Sequence, residues 1–390
     1  MSAIGGMISM GRQSVEPSAL NEMSRAMLLR GRDQRDGYLR NRAAVFCNRR
    51  LDGTDSATRQ PYSLTRKGQT YTVLFDGAPR GGGSLSSLCP ALGVEGTAEW
   101  LLDAYLAYGS TFAAELEGRY ALAILDEGRG ELFLARDRQG SCPLFYTLDG
   151  ERFAFASEIK GLLRTLTGGA RVSAEALRLY WRAPWGALGA EELYRDIRAF
   201  PPGHGGILSG LGLTLFPFED RLLPEERQEK GAVLTGELVC PDEEELKMML
   251  TELLFAFDYP QFDHWMPGSL CLLKRARDQR KKEVILEDGA SYLDITYATE
   301  RADQLGAVCD LNVYVRPPDT TMIRQKELKR MDRLLYTLTN SLDEVLLSRL
   351  VGQDWREIVE SEKNLARRIR MRGLLCQSAL WAEHYPILLD

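Results

Sequence analysis

The hydrophobic and polar positions between residues 119 and 165 form short blocks that predict a series of strands. Four apolar stretches are separated by turn-forming residues, and they are 120–125, 132–135, 144–148 and 153–156. The dipeptide Asp149-Gly150 between the last two is a strong signal for a hairpin. The pattern therefore predicts an antiparallel meander.

Helical spacing follows the meander and recurs later in the chain. Apolar residues from Ile159 to Leu166 fall at intervals of three and four, which predicts a helix that Ser157 could cap. A second helix is predicted over 98–108, with its apolar face in a core. In the C-terminal half, Asp242 and Glu245 have the spacing of a capping box at the start of a helix. Short strands are predicted at 283–286 and 311–315, and mainly helix from residue 323.

Composition limits the classes of protein and of site. The 390 residues allow two domains, and 44% hydrophobic with 27% charged residues is ordinary for a soluble globular protein. A net charge of −6 gives no general attraction to nucleic acid or to an anionic membrane. The basic run at 274–282 lies at a predicted helix end, where cations suit the dipole, so a solvated face is favoured over a nucleic-acid site.

Cysteine usage and hydropathy indicate a compartment. The seven cysteines stand singly with no C-x-x-C pair, so neither a zinc site nor a redox motif is indicated. Reduced thiols fit a cytoplasmic location. No apolar stretch approaches the length of a membrane span, and the first residues lack the apolar region of a signal peptide.

Two segments carry a family resemblance. Residues 135–146 read ARDRQGSCPLFY, and residues 155–160 read FASEIK. Together they resemble the signature of the glutamine-dependent asparagine synthetases. The resemblance implies an α/β (α+β) architecture that begins with a class II glutamine amidotransferase domain over 1–218, an αββα sandwich of the N-terminal-nucleophile (Ntn) hydrolase type. A linker over 219–232 and a shortened synthetase-like α/β domain over 233–390 would follow.

Ser2 occupies the position of the family's nucleophile. Residues 1–8, MSAIGGMI, resemble the family's first strand, in which a cysteine follows the initiator methionine. After removal of methionine, that thiol attacks glutamine and the free α-amine acts as the base. Serine can serve as an N-terminal nucleophile, although its hydroxyl is harder to ionise than a thiol. We favour the interpretation of Ser2 as an ordinary strand residue, with a nucleophile as the alternative.

The residues that would support catalysis also differ from the family pattern. Residues 75–78, FDGA, resemble the N-G-E loop that holds the oxyanion, with Asp76 in place of asparagine, Gly77 retained and Ala78 in place of glutamate. An ionised carboxylate only accepts hydrogen bonds, so Asp76 would repel a developing oxyanion. Loss of one such donor costs about 3 kcal/mol. Thr97 replaces an aspartate that, with the glutamate, would hold the substrate amine.

Arg50 is the retained member of the implied substrate site. Residues 48–51, NRRL, resemble the family's H-x-R-L, whose arginine clamps the carboxylate of glutamine. Arg50 could therefore bind a small amino acid, or it could be a structural ion-pair partner. Upstream, residues 30–33, RGRD, resemble an R-G-P-D loop.

The predicted second domain lacks the family's nucleotide motif. A functional synthetase domain opens with S-G-G-x-D-S, whose backbone N–H groups hold the pyrophosphate of ATP, and no such sequence occurs here. Residues 287–294 align either with a later S-G-D-G-x-D-E motif or with the pyrophosphate loop itself. In the second case Glu287 and Asp288 would repel phosphate. The family uses ATP and Mg²⁺, but we expect no cofactor and no metal site.

These changes predict an asparagine synthase-like protein that has lost its catalysis and serves a binding or regulatory role with an unidentified protein partner. One alternative is an active Ntn-type amidohydrolase that uses Ser2. The other is an ATP-dependent, glutamine-hydrolysing ligase that forms amides in asparagine biosynthesis. Neither nucleic acid nor membrane is expected as a partner.

Overall fold

The computed structural model describes residues 2–49, 59–82, 85, 97–182, 190–218, 232–234, 241–263, 266–281, 283–287, 303–309, 311–316 and 325–389. The chain divides into two compact units, Met1–Thr165 with Ala199–Arg227, and Leu166–Arg198 with Gln228–Asp390. The second unit includes 166–198, a stretch that the sequence interpretation placed inside a first domain over 1–218. The predicted linker spans residues 219–232. Of these, only residue 232 is described, and a strand begins there.

The strands, numbered in chain order, are β1 (Ala3–Ser9), β2 (Gln34–Arg40), β3 (Ala43–Arg49), β4 (Tyr62–Arg66), β5 (Gln69–Gly77), β6 (Arg80–Gly81), β7 (Leu116–Glu117), β8 (Tyr120–Asp126), β9 (Glu131–Arg136), β10 (Phe145–Asp149), β11 (Arg152–Ala156), β12 (Ala170–Val172), β13 (Arg198–Ala199), β14 (His204–Ser209), β15 (Gly212–Pro217), β16 (Ala232–Leu234), β17 (Glu283–Glu287), β18 (Asn312–Arg316) and β19 (Ile387–Leu389).

The α-helices are α1 (Pro17–Ala26), α2 (Ala98–Tyr108), α3 (Ile159–Leu163), α4 (Ala174–Arg182), α5 (Ala190–Leu193), α6 (Glu243–Phe257), α7 (Met266–Asp278), α8 (Gln325–Asn340), α9 (Glu344–Val351), α10 (Trp355–Ser361) and α11 (Leu365–His384). A 3₁₀ helix spans Gly109–Glu115, and residues 303–309 are also helical.

Two six-stranded sheets form the centre of the first unit. Their strand orders are β13-β10-β11-β1-β3-β2 and β15-β14-β9-β8-β5-β4. The sheets pack face to face, because one buried apolar cluster takes side chains from both, such as Ile4 and Phe155 from the first and Leu74 and Leu134 from the second. Helix α2 covers the outer face of the second sheet with Trp100 and its neighbours. Helices α1 and α3 contact the first sheet. The resulting order of layers is the αββα sandwich that the sequence predicts.

The strands between residues 120 and 156 lie close to their predicted bounds, but the single meander is wrong. Strands β8 and β9 pair with each other in the second sheet, whereas β10 and β11 pair in the first. The chain therefore crosses from one sheet to the other between Arg136 and Phe145. Ser157 does not cap α3, since its hydroxyl accepts a hydrogen bond from the backbone N–H of Ile4 instead.

Two charged residues of the ARDRQGSCPLFY segment build this crossover. The buried guanidinium of Arg136 donates to the backbone oxygens of Cys142, Phe200 and Gly140 at 2.8, 2.9 and 2.7 Å. The carboxylate of Asp137 accepts from the backbone N–H groups of four residues, namely Tyr120, Gln139, Ser141 and Cys142. A chain that leaves a sheet inside the protein needs partners for its backbone polar groups, and these two side chains supply them.

The second unit contains a small parallel sheet and most of the helices. Strand β17 lies between β16 and β18 and is parallel to both, and β12 pairs in parallel with β19. The predicted strands at 283–286 and 311–315 are confirmed as β17 and β18, and the mainly helical region as α8 to α11. The capping box at Asp242 and Glu245 is also confirmed at the start of α6.

The stretch 166–198 is anchored within the second unit by buried aromatic residues. The indole of Trp181 donates to the backbone oxygen of Met371 at 3.2 Å. The hydroxyl of Tyr194 donates to the backbone oxygen of Asp258 at 2.7 Å and accepts from the indole of Trp381. Burial beside Asp258 raises the pKa of Tyr194 well above its usual value, so the phenol stays protonated. Within the described residues, no helix is long and apolar enough to cross a membrane.

Candidate active site

Ser2 lies directly before β1, a central strand of the first sheet. The backbone nitrogen of Ser2 contacts the end of β5 in the second sheet. The backbone nitrogen of Ser2 donates to Oδ1 of Asp76 at 2.8 Å. Asp76 is the penultimate residue of β5 and is almost fully buried. The structure therefore brings together two residues that the sequence assigned to one site, although they are 74 positions apart.

Arg30 completes this buried group of charges. Its Nη2 atom lies 2.8 Å from Oδ2 of Asp76, and the side chains are 0% and 2% exposed. Its Nε atom donates to the backbone oxygen of Ser2 at 3.1 Å. Burying two charges is costly unless each also finds hydrogen bonds, and Ser2 supplies one to each partner. We call Ser2, Asp76 and Arg30 the buried triad.

The buried triad contacts the backbone of Ser2 and not its side chain. Within the part of the chain that the structure describes, the Ser2 hydroxyl makes no hydrogen bond. After removal of Met1, the α-amine of Ser2 would lie at the same nitrogen, against the carboxylate of Asp76. A carboxylate favours the protonated form of a neighbouring amine, and an ammonium cannot accept the proton of the hydroxyl.

The loop after Asp76 keeps its backbone shape. Gly77 has a φ of 95°, and a Cβ on it would lie 2.2 Å from the backbone oxygen of Arg119. Only glycine fits this close approach of two chain segments. The backbone nitrogen of Ala78 donates to the same oxygen at 2.7 Å. Ala78 is exposed and has no side-chain polar group that could hold a substrate amine.

Thr97 and Asn48 have structural partners. Thr97 caps α2, because its hydroxyl accepts a hydrogen bond from the backbone nitrogen of Trp100 at 3.1 Å. Asn48 replaces the family histidine and is fully buried against Ser24, with which it exchanges hydrogen bonds of 2.7 and 2.8 Å. Arg50, the proposed carboxylate clamp, lies outside the described residues.

Sequence reasoning missed the role of Arg30. The signal was present, since an aspartate at the end of a buried strand requires a cation or several N–H donors nearby. Arg30 stands in the RGRD segment, directly before Gly31, whose φ of 69° turns the chain against the backbone of Asn48.

The described thiols of the second unit offer no replacement nucleophile. Burial raises the pKa of all three of these thiols, that of Cys376 to about 11, that of Cys309 to about 12 and that of Cys271 above its usual value. They therefore remain protonated near neutral pH, and the thiol is a much weaker nucleophile than the thiolate. Among the residues that the structure places, no group of three or more metal-ligating side chains occurs.

The second unit contains a parallel strand followed by a helix, the kind of connection in which a nucleotide loop is found in other proteins. Strand β16 is followed by α6, with the connection at 235–240 outside the described residues. This connection contains Gly236 in the sequence, and it was not predicted. Asp242 accepts from the backbone nitrogen of Glu245 at 2.9 Å, and Glu243, Glu244 and Glu245 fill the first turn of α6. Residues 288–294, including Asp288, are likewise not described.

An αββα sandwich with residue 2 at the head of a central strand defines a scaffold of the glutamine amidotransferase class. A family model described as a glutamine amidotransferase domain matches residues 1–218, more than half of the chain. The chain belongs to this family, and asparagine synthetases are among its curated relatives.

The relatives from Bacillus subtilis (strain 168) include two that match longer stretches of the chain. Asparagine synthetase [glutamine-hydrolyzing] 3 is 31% identical over 225 residues, which cover 56% of this chain and 36% of the relative. Asparagine synthetase [glutamine-hydrolyzing] 1 is 31% identical over 166 residues, which cover 41% of this chain and 26% of the relative. The chain thus matches about a third or less of the length of these relatives.

Similar solved structures include a glutamine phosphoribosylpyrophosphate amidotransferase from B. subtilis complexed with ADP and GMP. It has a TM-score of 0.41 and 13% identity, and the match covers 84% of this chain and 70% of that one. A structure described as the allosteric regulatory enzyme of purine biosynthesis has a TM-score of 0.44 and 12% identity, with 98% and 96% covered.

Proposed function

We propose that this chain is a catalytically inactive member of the glutamine amidotransferase family that acts as a binding or regulatory partner. The buried triad carries this proposal. Asp76, paired with Arg30, stands where the family resemblance implies a neutral donor to the oxyanion. An ionised carboxylate accepts hydrogen bonds and donates none, so it does not supply the donor by which catalysis stabilises that charge.

Several features support a retained scaffold without its chemistry. The crossover built by Arg136 and Asp137 is intact, and so is the close approach at Gly77. The changed positions are Ser2, where the family has its nucleophile, and Ala78 and Thr97, where the family has ligands of the substrate amine. In this chain Thr97 caps a helix. Loss of function-specific side chains with preservation of packing is the pattern expected when a fold is kept as a recognition surface.

We also propose that the second unit does not bind ATP. A pyrophosphate site of the usual kind uses free N–H groups at a helix N-terminus. At α6 the side chain of Asp242 already accepts from the nitrogen of Glu245, and four consecutive acidic residues from Asp242 to Glu245 oppose the binding of a polyanion. These residues do not fit a nucleotide phosphate.

The proposed location is the cytoplasm, because seven cysteines without a C-x-x-C pair fit a compartment in which thiols stay reduced. The proposal includes two ligands. One is an amino acid or similar acid bound by Arg50, and the other is a protein partner. Affinity capture from the native host with the full chain as bait identifies such a partner.

Purified protein should release no ammonia from glutamine above background. The reason is that Ser2 lacks a base, its α-amine faces Asp76, and the oxyanion has no neutral side-chain donor. Ammonia release is measured after mass spectrometry has established removal of Met1. Ser2→Cys alone should not restore turnover, since Asp76, Ala78 and Thr97 are unchanged. Turnover that Ser2→Ala abolishes would show instead that the protein is an active Ntn-type amidohydrolase.

Mg-ATP should give no rise in melting temperature. A ligand at 100 times its dissociation constant stabilises a protein by about 2.7 kcal/mol, so even modest binding is visible in a thermal melt. MgCl₂ alone and Mg-GTP serve as controls for ion and polyanion effects. A rise specific to Mg-ATP that is lost on Asp288→Ala would support the amide-forming ligase.

A further inference from the structure

A cationic cleft lies in the second unit, beside the contact between α8 and the first turn of α11. Its volume is about 520 Å³. Six residues line it, and they are Lys329, Asp332, Arg333, Lys363, Leu365 and Arg368. Four of the six are cations and one is a carboxylate. We call this the α8–α11 cleft, and none of its residues belongs to the buried triad or to the β16–α6 connection.

The helical repeat explains why these side chains converge. Lys329, Asp332 and Arg333 are spaced by three and four residues, so they share one face of α8. Lys363 precedes α11, and Arg368 lies near its N-terminal end. The N-terminus of a long helix carries a partial positive charge, which adds to that of the side chains.

The single carboxylate of the cleft is already neutralised. Asp332 is 8% exposed and accepts from Nε and Nη2 of Arg368 at 3.0 and 2.8 Å. It also accepts from Nη1 of Arg372 at 2.6 Å. Nη1 of Arg368 donates to the backbone oxygen of Glu362 at 2.8 Å, so its guanidinium is fixed as one wall of the cleft.

The other three cations have no counter-ion within the part of the chain that is described. The side chains of Lys329, Arg333 and Lys363 are exposed and make no hydrogen bond or ion pair there. The neighbouring acids are engaged elsewhere, Glu360 with Arg372 at 3.0 Å and Glu362 with Arg367 at 3.3 Å. Like charges around one cleft repel each other, and a bound anion removes that cost.

We propose that the α8–α11 cleft binds the phosphate group of a small phosphomonoester. A phosphomonoester carries a charge of about −1.5 to −2 at neutral pH and three strong acceptor oxygens, so it can engage several cations at once. A carboxylate offers a single charge and two oxygens, which one arginine satisfies. The cleft falls in the range of about 300–1,000 Å³ typical of small-molecule sites, and Leu365 offers an apolar contact for the organic part. Inorganic phosphate shares this chemistry, and the test separates the two.

The test uses the full chain and isothermal titration with glucose 6-phosphate, glucose and inorganic phosphate at constant ionic strength set with sodium chloride. We expect glucose 6-phosphate to bind more tightly than inorganic phosphate, and glucose not to bind. The double variant K329E/R333E should weaken binding of glucose 6-phosphate by at least about tenfold, equivalent to about 1.4 kcal/mol. The matched control R330E/R349E reverses two exposed charges, on α8 and α9, that do not line the cleft, and it should change affinity less than about twofold.

Three results would overturn the proposal. One is the absence of measurable binding of glucose 6-phosphate in the sodium chloride background. Another is equal loss of affinity in K329E/R333E and in R330E/R349E, which would reduce the effect to general charge. The third is binding of inorganic phosphate alone, which would make the cleft a site for a free anion and not for a phosphomonoester. Circular dichroism establishes that each variant is folded, which is expected because the replaced side chains are exposed.

Discussion

Replacement of Arg30 by methionine should lower the free energy of unfolding by about 3–5 kcal/mol, because it leaves the carboxylate of Asp76 buried without its cation. Asp76→Asn, which introduces the family residue, should also destabilise the protein, since Arg30 would lose the carboxylate that it binds at 2.8 Å. Urea unfolding followed by circular dichroism measures both effects.

A matched control and a double variant make the result specific to the buried triad. Lys247 and Glu243 form an exposed pair at 2.8 Å on α6, and Lys247→Ala should cost less than about 1 kcal/mol. The combination of Arg30→Met with Asp76→Leu removes both charges and should be less destabilising than Arg30→Met alone. A cost below about 1 kcal/mol for Arg30→Met would contradict the buried ion pair and, with it, the basis of the proposed loss of catalysis.

Arg136→Met should destabilise the first unit by at least about 3 kcal/mol, since three backbone oxygens of the crossover lose a charged donor. The effect is read by urea unfolding and by hydrogen exchange of the amides in β9 and β14, which pair beside the crossover. Arg152 is an exposed arginine on β11, so Arg152→Met is the control and should change stability by less than about 0.5 kcal/mol. Equal effects of the two variants would show that the crossover does not depend on Arg136.

The individual strands between residues 120 and 156 could be predicted, but their assignment to sheets could not. Alternation and turn residues mark where a strand begins and ends, and they depend only on neighbours in sequence. Nearly every residue of β8 to β11 is buried, so no polar face indicates which sheet each hairpin joins. The crossover depends on Arg136 and Asp137. Their burial is explained only by the backbone groups that they bind there.

The candidate site divides in the same way. The family resemblance identified Ser2, Asp76 and Gly77 as neighbours, and the structure confirms that Ser2 and Asp76 touch. The pairing of Asp76 with Arg30 could not be read from local pattern, because it joins side chains 46 positions apart on elements with no shared periodicity. Strand β16 was missed because three residues beside a charged, proline-containing stretch give too short an alternation to recognise.

The discontinuous path of the second unit bears on how fragments of this protein are produced. Expression of residues 1–218, the span that the family model matches, would include 166–198 without the segments that accept its hydrogen bonds. Trp181 would lose Met371, and Tyr194 would lose Asp258 and Trp381, so large apolar surfaces would face solvent and promote aggregation. A fragment that joined 1–165 directly to 199–218 would avoid this exposure. Poor solubility of the simple truncation would thus report on where the chain was cut, and not on the stability of the αββα sandwich.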